Sequence, residues 1–447
     1  MREHTPDSGR SRTDKERTVY VHDVSVAEDP TYNRPPYSGC MGVWMERALC
    51  EADPQDLVIL SAPVSHAYLE YLKQLTGGLP ALLVPEVENL QQSNAPTRKL
   101  LENCTWMEKL KSWSNQSSAP LSTSYFKPGS LTMTLTQRLR DSVPDANWHC
   151  DYQDTDLINT HYFGQKSTLQ EWVPQTGLNP IPSITIEPDK TANLSERITQ
   201  EAARQLQQHT RVMVKANYAS NGAGNFLLTR TGDLDYLRRW LTSQPKSQTY
   251  VLEAFIESVT SPNVQFNIGA NGGCRYLGTS VQRFSKDQRF IGNDACLDAL
   301  PMNTLLDQAW TIAEYLGSKN VRGVIGLDFL VLANKSVQFV EVNVRYNGST
   351  YAKGLVEKLN RARMLQSIPA YAHWRHLRAD TKAVSDFESM IHNAGSLLMD
   401  YQNAGVVPFV PGLFSKGVVN FVTVGDTQEE TQKIEQRFLT EIGASHA

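Results

Sequence analysis

Residues 322–350 read RGVIGLDFLVLANKSVQFVEVNVRYNGST, and their interpretation decides the fold. Two strand-forming runs, 323–332 and 336–344, flank a turn centred on Asn334 and Lys335, the pattern of a β-hairpin. With a two-residue loop, Asp328 lies directly opposite Glu341, and Asn343 shares the face of Glu341. The two carboxylates then sit roughly 5 Å apart, and like charges at opposed positions destabilise a hairpin unless a counter-charge lies between them. A divalent cation supplies that charge. Oxygen donors from Asp, Glu and Asn favour a hard ion, and Mg²⁺ takes few protein ligands while phosphate oxygens complete its shell. Arg345 follows on the same parity and can face the same phosphates. A three-residue loop would shift the parity and separate the acids. A lone Asp and Glu also suit the solvated face of a surface hairpin, but the flanking Val324, Ile325, Leu327, Phe329, Leu330, Val340 and Val342 argue for burial.

The chain has 447 residues, too many for one core, and 40% apolar with 20% charged residues describes an ordinary globular protein. A net charge of -4 argues against nucleic acid as the partner, because a phosphate backbone needs a basic footprint. No run reaches the roughly 18 apolar residues of a membrane span, and the N-terminus lacks the apolar core of a signal peptide. No membrane partner and a cytoplasmic location are therefore expected. Cys40, Cys50, Cys104, Cys150, Cys274 and Cys296 have no CxxC spacing, so they read as reduced thiols rather than a zinc or redox site. Among the histidines, which show no HExxH spacing, His22 and His66 stand out for lying in or just after N-terminal strands.

Residues 1–17 are polar and without periodicity, and a flexible tail is expected there. From 18 to 155, short strands alternate with helices, which implies a Rossmann-like parallel α/β domain whose loops, among them PPYSGCMG at 35–42, form a crevice at the strand C-termini. No GxGxxG follows the first strand. The Ser-, Pro- and Asn-rich segment 111–130 reads as an irregular excursion. Further on, the apolar strand 211–217 carries Lys215 and runs into ASNGAGN at 219–225. Glycines there let backbone amides converge on an anion, although a tight hairpin turn explains Asn221-Gly222 equally well. The strand TYVLEAFIE at 249–257 can offer its backbone and the side chains of Phe255 and Ile256 to a flat ring. It also reads as a buried strand with Glu253 and Glu257 turned to solvent. Beyond 370, a helix, the strands GVVPFVP and GVVNFVTVG, and a final helix form a smaller unit. Asp426 with Glu429 makes a capping-box-like start to that last helix.

Taken in order, Lys166 in GQKSTLQEW, Lys215 with SNGAGN, VLEAFIE, the aspartate of GVIGLDFLV, and VEVNVR followed by YNGST resemble the ATP-grasp superfamily of carboxylate-amine ligases. The N-terminal unit resembles the domain that precedes ATP-grasp modules. The resemblance implies a pre-ATP-grasp α/β domain at 18–155, a two-lobed α+β ATP-grasp domain at 156–370 and a C-terminal α/β segment at 371–447. It also implies ATP and Mg²⁺ as cofactors. Lys166 and Lys215 would bind the α and β phosphates, and Ser220, Asn221, Gly222, Ala223 and Gly224 would close over the triphosphate. Glu253, Phe255 and Ile256 would hold adenine, with Glu257 near the ribose. Asp328, Glu341 and Asn343 would ligate the metal, Arg345 would face the transferred phosphoryl group, and Arg283 would assist at the phosphate.

The implied reaction joins a small carboxylic acid, an amino acid or peptide, to an amine in a specialised pathway through an acyl phosphate, releasing ADP and phosphate. It is compatible with a homodimer. Two other readings remain open: loading of an amino acid onto a carrier-protein thiol, and a non-catalytic nucleotide-binding module. The intact acid, amide and arginine set argues against the last.

Overall fold

The computed structural model describes residues 16–24, 41–91, 93, 95–103, 105–149, 154–189, 193–217, 224–244, 248–285, 290–295, 297–298, 300–363, 370–380, 383–400 and 404–444. The expected tail up to residue 15, most of PPYSGCMG, and Cys40, Cys104, Cys150 and Cys296 lie outside these residues; Cys50 and Cys274 are free thiols. No helix among the described residues is long and apolar enough to cross a membrane.

Three sheets organise the chain. β1 (Arg17–Val21), β2 (Leu57–Ile59), β3 (Ala81–Leu83) and β4 (Leu121–Tyr125) form a parallel sheet in the order β3-β2-β1-β4. β5 (Ser183–Ile186), β6 (Val212–Ala216), β7 (Asn225–Leu228) and β8 (Tyr250–Ala254) form an antiparallel sheet in the order β5-β8-β6-β7. The third sheet contains β9 (Pro262–Ile268), β10 (Cys274–Phe284), β11 (Phe290–Asp294), β12 (Gly323–Val331), β13 (Val337–Asn343), β14 (Ala370–Arg378), β15 (Gly405–Phe409) and β16 (Val418–Gly425). It is antiparallel throughout, in the order β13-β12-β9-β10-β11-β14-β16-β15. The C-terminal strands thus complete the sheet that begins at β9.

The antiparallel sheets bury a face on helices with matching apolar stripes, whereas the parallel sheet is covered on both, with Val19, Val21, Leu57 and Ile59 in one core and Tyr20 and Val58 in another. Leu305, Ala309, Ile312, Ala313 and Leu316 of the helix Met302–Ser318 pack on Phe266, Ile325 and Leu327. Ile198 and Ala202 of Leu194–Gln205, with Leu237 and Leu241 of Leu234–Thr242, cover β6 and β8. The largest core is shared across the chain. Tyr20, Trp44 and Tyr68 meet Tyr351, Leu355 and Leu359 of the helix Gly348–Arg363, and beyond them Val406, Phe421 and Phe438. The N-terminal sheet is thereby fastened to the C-terminal strands through this helix and through the helices Met41–Cys50 and His66–Thr76, the Tyr68 and Tyr71 hydroxyls donating to the Pro408 and Val406 carbonyls at 3.1 Å.

Three sequence expectations need correction. Segment 111–130 is not irregular: it contains the end of the helix Met107–Ser114 and all of β4, whose residues LSTSY pair in register with β1. Its hydroxyl-rich composition hides a strand because Leu121, Ser122 and Tyr125 are buried, with the Ser122 hydroxyl satisfied by Thr18 at 2.9 Å. The last helix, Gln428–Glu441, is capped by Thr427, whose hydroxyl accepts from the Glu430 amide at 3.2 Å. Asp426 is thus not the cap; its amide donates to the Glu430 carboxylate at 2.8 Å. The hairpin loop has three residues, because the Leu332 amide donates to the Ser336 carbonyl and the Lys335 amide donates back to Leu332, with Lys335 at φ 65°.

Candidate active site

The three-residue loop should have separated the acids, yet Asp328 lies opposite Glu341. A bulge restores the pairing. Phe329 pairs with Phe339 and Asp328 with Glu341, which leaves Val340 as the extra residue between them. On the core side of the bulge, Phe339 packs against Phe329 with ring centroids 5.5 Å apart. On the other side, Val340, Glu341 and Asn343 turn with Asp328 and Leu330 into a cavity of about 500 Å³ between the four- and eight-stranded antiparallel sheets.

Asp328 also lies opposite Asn263 of β9, so it stands mid-sheet between an amide and an acid. Nδ2 of Asn263 donates to one carboxylate oxygen at 2.6 Å and Nδ2 of Asn343 donates to the other at 2.9 Å. Burial, followed by the charge of Glu341, nevertheless pushes the Asp328 carboxyl up to about 7. Glu341 moves the other way. Burial raises it, but Lys166, Lys215 and Arg345 together outweigh that and hold it below the ordinary glutamate value. Lys166 supplies the closest charge, its Nζ 3.2 Å from Oε2 of Glu341.

Lys166 opens a short turn anchored from the opposite lobe, because the Ser167 amide donates to Oδ1 of Asn217 at 3.0 Å. Lys215 projects from β6 and forms a buried ion pair with Glu253 of β8. Burial lowers the affinity of that ammonium for its proton, but Glu253, Glu341 and Asp328 more than compensate and raise its pKa. Three cations and three carboxylates therefore converge where the two sheets face each other, which is a place for a polyanion with a counter-ion. Nη2 of Arg345 donates to Oδ1 of Asn343 at 2.9 Å.

Phe255 and Ile256 line the cavity wall next to Glu253. The Phe255 amide donates to the Arg211 carbonyl, and the Arg211 guanidinium lies over the Phe255 ring at 4.3 Å. Glu257 is placed differently: it is largely exposed and pairs with Arg211 outside the lining. Gly224 is buried, with its carbonyl accepting from Ala216, whereas Ser220, Asn221, Gly222 and Ala223 lie outside the described residues. The Arg283 side chain is not brought to the acids. Its guanidinium binds Asp294 at 2.6 and 2.7 Å and Glu435 at 2.9 Å.

Several residues that sequence reading passed over build the floor. Gln265 donates to the Ser349 hydroxyl and accepts from that of Thr350, both at 2.6 Å, and Ser349 donates to Oδ1 of Asn263 at 3.2 Å. This amide and hydroxyl chain ties the first turn of Gly348–Arg363 to Asp328. Its signal was the alternation Asn263, Gln265, Asn267 in an otherwise apolar strand, with two of the three amides now fully buried.

Among the described residues no three His, Cys, Asp or Glu side chains cluster as a metal cage. The donor set is two opposed carboxylates and an amide, and of the two carboxylates Asp328 resists ionisation. That combination fits a hard divalent ion that takes part of its shell from a ligand.

No protein-family model matches the sequence, and no curated protein is similar to it in sequence. Solved structures are similar over nearly the whole chain. The ADP complex of an N5-carboxyaminoimidazole ribonucleotide synthetase superposes with a TM-score of 0.55 at 10% identity, covering 95% of this chain and 96% of that one. A biotin carboxylase from Campylobacter jejuni, in a β-γ-ATP complex, gives 0.54 at 13% identity with coverages of 96% and 92%. The biotin carboxylase domain dimer of the Hydrogenobacter thermophilus 2-oxoglutarate carboxylase, with MgADP, ADP and bicarbonate, gives 0.50 at 12% identity with coverages of 96% and 90%. The fold is the mixed α/β ATP-grasp fold, with a parallel N-terminal sheet followed by antiparallel sheets.

Proposed function

We propose that the protein is an ATP-dependent carboxylate-amine ligase, and that its layout is similar to the pheganomycin-type peptide ligase. The observation that carries this reading is the convergence of Lys215 and Arg345 with the opposed Asp328 and Glu341 in one cavity between the two antiparallel sheets, with Lys166 pairing to Glu341 from beside that cavity. Lys166 and Lys215 neutralise the α and β phosphates, and Arg345 faces the γ-phosphoryl group. Phe255 and Ile256 hold adenine, with Glu253 beside them; Glu257 would have to leave Arg211 to reach the ribose, and Ser220 to Gly224 are assigned to the triphosphate, Ser220 to Ala223 lying outside the described residues. Asp328, Glu341 and Asn343 hold Mg²⁺, which when bound offsets phosphate charge. Arg283 would have to leave both Asp294 and Glu435 to reach a phosphate, so it is a reserve contact at best.

The substrate carboxylate oxygen attacks the γ phosphorus, forming an oxygen-phosphorus bond as the bond to ADP breaks. The amine then attacks the acyl carbon, the carbon-nitrogen bond forms, phosphate leaves with the acyl oxygen, and the amine loses its proton. Such a transfer needs positioning and charge neutralisation more than covalent participation by the protein. Exclusion of water protects the acyl phosphate from hydrolysis.

The test is incubation with MgATP, hydroxylamine and a panel of acids: amino acids, short peptides and bicarbonate, the last being present in the Hydrogenobacter structure. Hydroxamate and ADP in equal amounts are expected, and AMP with pyrophosphate would overturn the reading. Glu341→Gln should lower turnover at least about 100-fold with the fold intact; full activity would remove Glu341 from the site.

A further inference from the structure

In the parallel sheet the strand order reverses between β1 and β4, and the C-terminal ends of strands at such a reversal form the crevice where open α/β sheets take ligands. Here that crevice holds the chain's own residues. His22, immediately after β1, is fully buried. Its Nδ1 lies 2.9 Å from the Tyr351 hydroxyl and its Nε2 3.0 Å from the Ser124 hydroxyl of β4. Ser124 in turn lies 3.1 Å from the hydroxyl of Tyr346, whose ring packs 4.6 Å from the imidazole. Tyr346 is the residue after Arg345. Its amide donates to the Phe126 carbonyl at the end of β4, and its carbonyl accepts from Nη1 of Arg345 at 3.3 Å.

We propose that His22 and Ser124 are positioning residues for Arg345, acting through Tyr346, so that the crevice of the N-terminal sheet serves as the seat of the phosphoryl-facing arginine. This rests on the role given to Arg345 under the proposed function. The chain has the properties a seat requires. Both ring nitrogens of His22 are engaged, and burial, with Arg47 nearby, brings its pKa down to about 3, so the ring stays neutral with one nitrogen donating and the other accepting. A hydroxyl relay of this kind fixes direction as well as distance. Tyr346 is held at both its backbone and its ring, which leaves the Arg345 carbonyl and side chain little freedom. An arginine displaced by about 1 Å costs on the order of 100-fold in rate where alignment governs the step.

The experiment uses the full chain, MgATP, and the acid and hydroxylamine mixture that turns over best. Tyr346→Phe removes the last hydroxyl of the relay and keeps the ring. It should lower kcat about ten-fold and leave KM for ATP within about two-fold, because an interaction made in the transition state is lost while ground-state binding is kept. In an Arg345→Lys background the same change should have no further effect, since both alter one unit. Unchanged kcat in Tyr346→Phe, or an equal loss in the Arg345→Lys background, would overturn the proposal. A second arm does not need turnover. With ¹⁵N-labelled histidine, Tyr346→Phe should move the Nε2 resonance of His22 as Ser124 loses its partner, and an unmoved resonance would refute the relay. If wild type releases no ADP with any acid, the functional reading falls and the relay is judged by its spectrum alone.

Discussion

Replacing Asp328 with asparagine tests whether the opposed acids carry an uncompensated charge. The carboxyl ordinarily titrates at 3.8 and here is pushed to about 7 by burial and then by Glu341. A folded-state value above the unfolded one means that the stabilisation is fully present below 3.8 and is lost as pH rises through about 7. From about pH 5 to about pH 8 the loss spans roughly two decades of proton affinity, or about 3 kcal/mol. Unfolding entropy of about 2 cal/mol/K per residue over roughly 450 residues turns that into about 3 °C in Tm. Glu341 does not interfere in this window. Its value is held below 4.5, so its contribution is present above 4.5 and is lost only on further acidification.

Glu46 does interfere, because burial lifts its carboxyl to about 7 as well, against the lowering effect of the Gly412 amide, which donates to it at 3.0 Å. The diagnostic is therefore the difference between wild type and Asp328→Asn, followed by differential scanning fluorimetry in EDTA. The mutant should lose about 3 °C less than wild type across the range, and wild type alone should recover at the alkaline end when Mg²⁺ and ADP are added. Parallel pH profiles for the two proteins would show that Asp328 ionises without strain. The acid pair would then need no cation, and the argument for a metal at this position would fail.

Two further outcomes follow from the same geometry. Lys215→Met orphans the buried Glu253 carboxylate and should destabilise the protein by about 3–5 kcal/mol in chemical denaturation, while ADP affinity by calorimetry falls; unchanged ADP affinity would take Lys215 out of the phosphate site. A Cβ at Gly326 would lie 2.4 Å from Nδ2 of Asn347, which donates to the Arg345 carbonyl at 3.0 Å. Gly326→Ala should accordingly cost only about 1–3 kcal/mol in stability but lower kcat more than ten-fold, and a variant with normal kcat would show that the Arg345 loop tolerates displacement.

The sequence made the apolar pattern legible and the polar architecture less so. Helices such as Met302–Ser318 and His66–Thr76 were readable because apolar residues recur at helical spacing and Ser65 and Gly77 mark the ends of the second. β4 was missed because its hydroxyls are paired across the sheet with partners about a hundred positions away, and a Ser- and Thr-rich run otherwise resembles a loop. The relay from His22 to Tyr346 spans more than three hundred positions and leaves no periodic trace at all.

The acid pair is the most instructive case, because its position was inferred correctly from an incorrect loop. The inference assumed a two-residue turn, whereas the loop has three residues with Lys335 in the left-handed region, where Asn or Gly would have announced it. One added residue in the loop turns every later side chain to the opposite face, and one added residue in the strand, Val340, turns them back. Phe339 consequently faces the core before the bulge, and Glu341 and Asn343 face the cavity after it, although Glu341 lies two positions after Phe339 and an unbroken strand would place them on one face. The bulge thus lets a single short strand place an aromatic ring beneath the sheet and a carboxylate, an amide and an arginine above it. A strand built on strict alternation would have to give up one or the other, which is the physical reason for the irregularity to sit at this point in the hairpin.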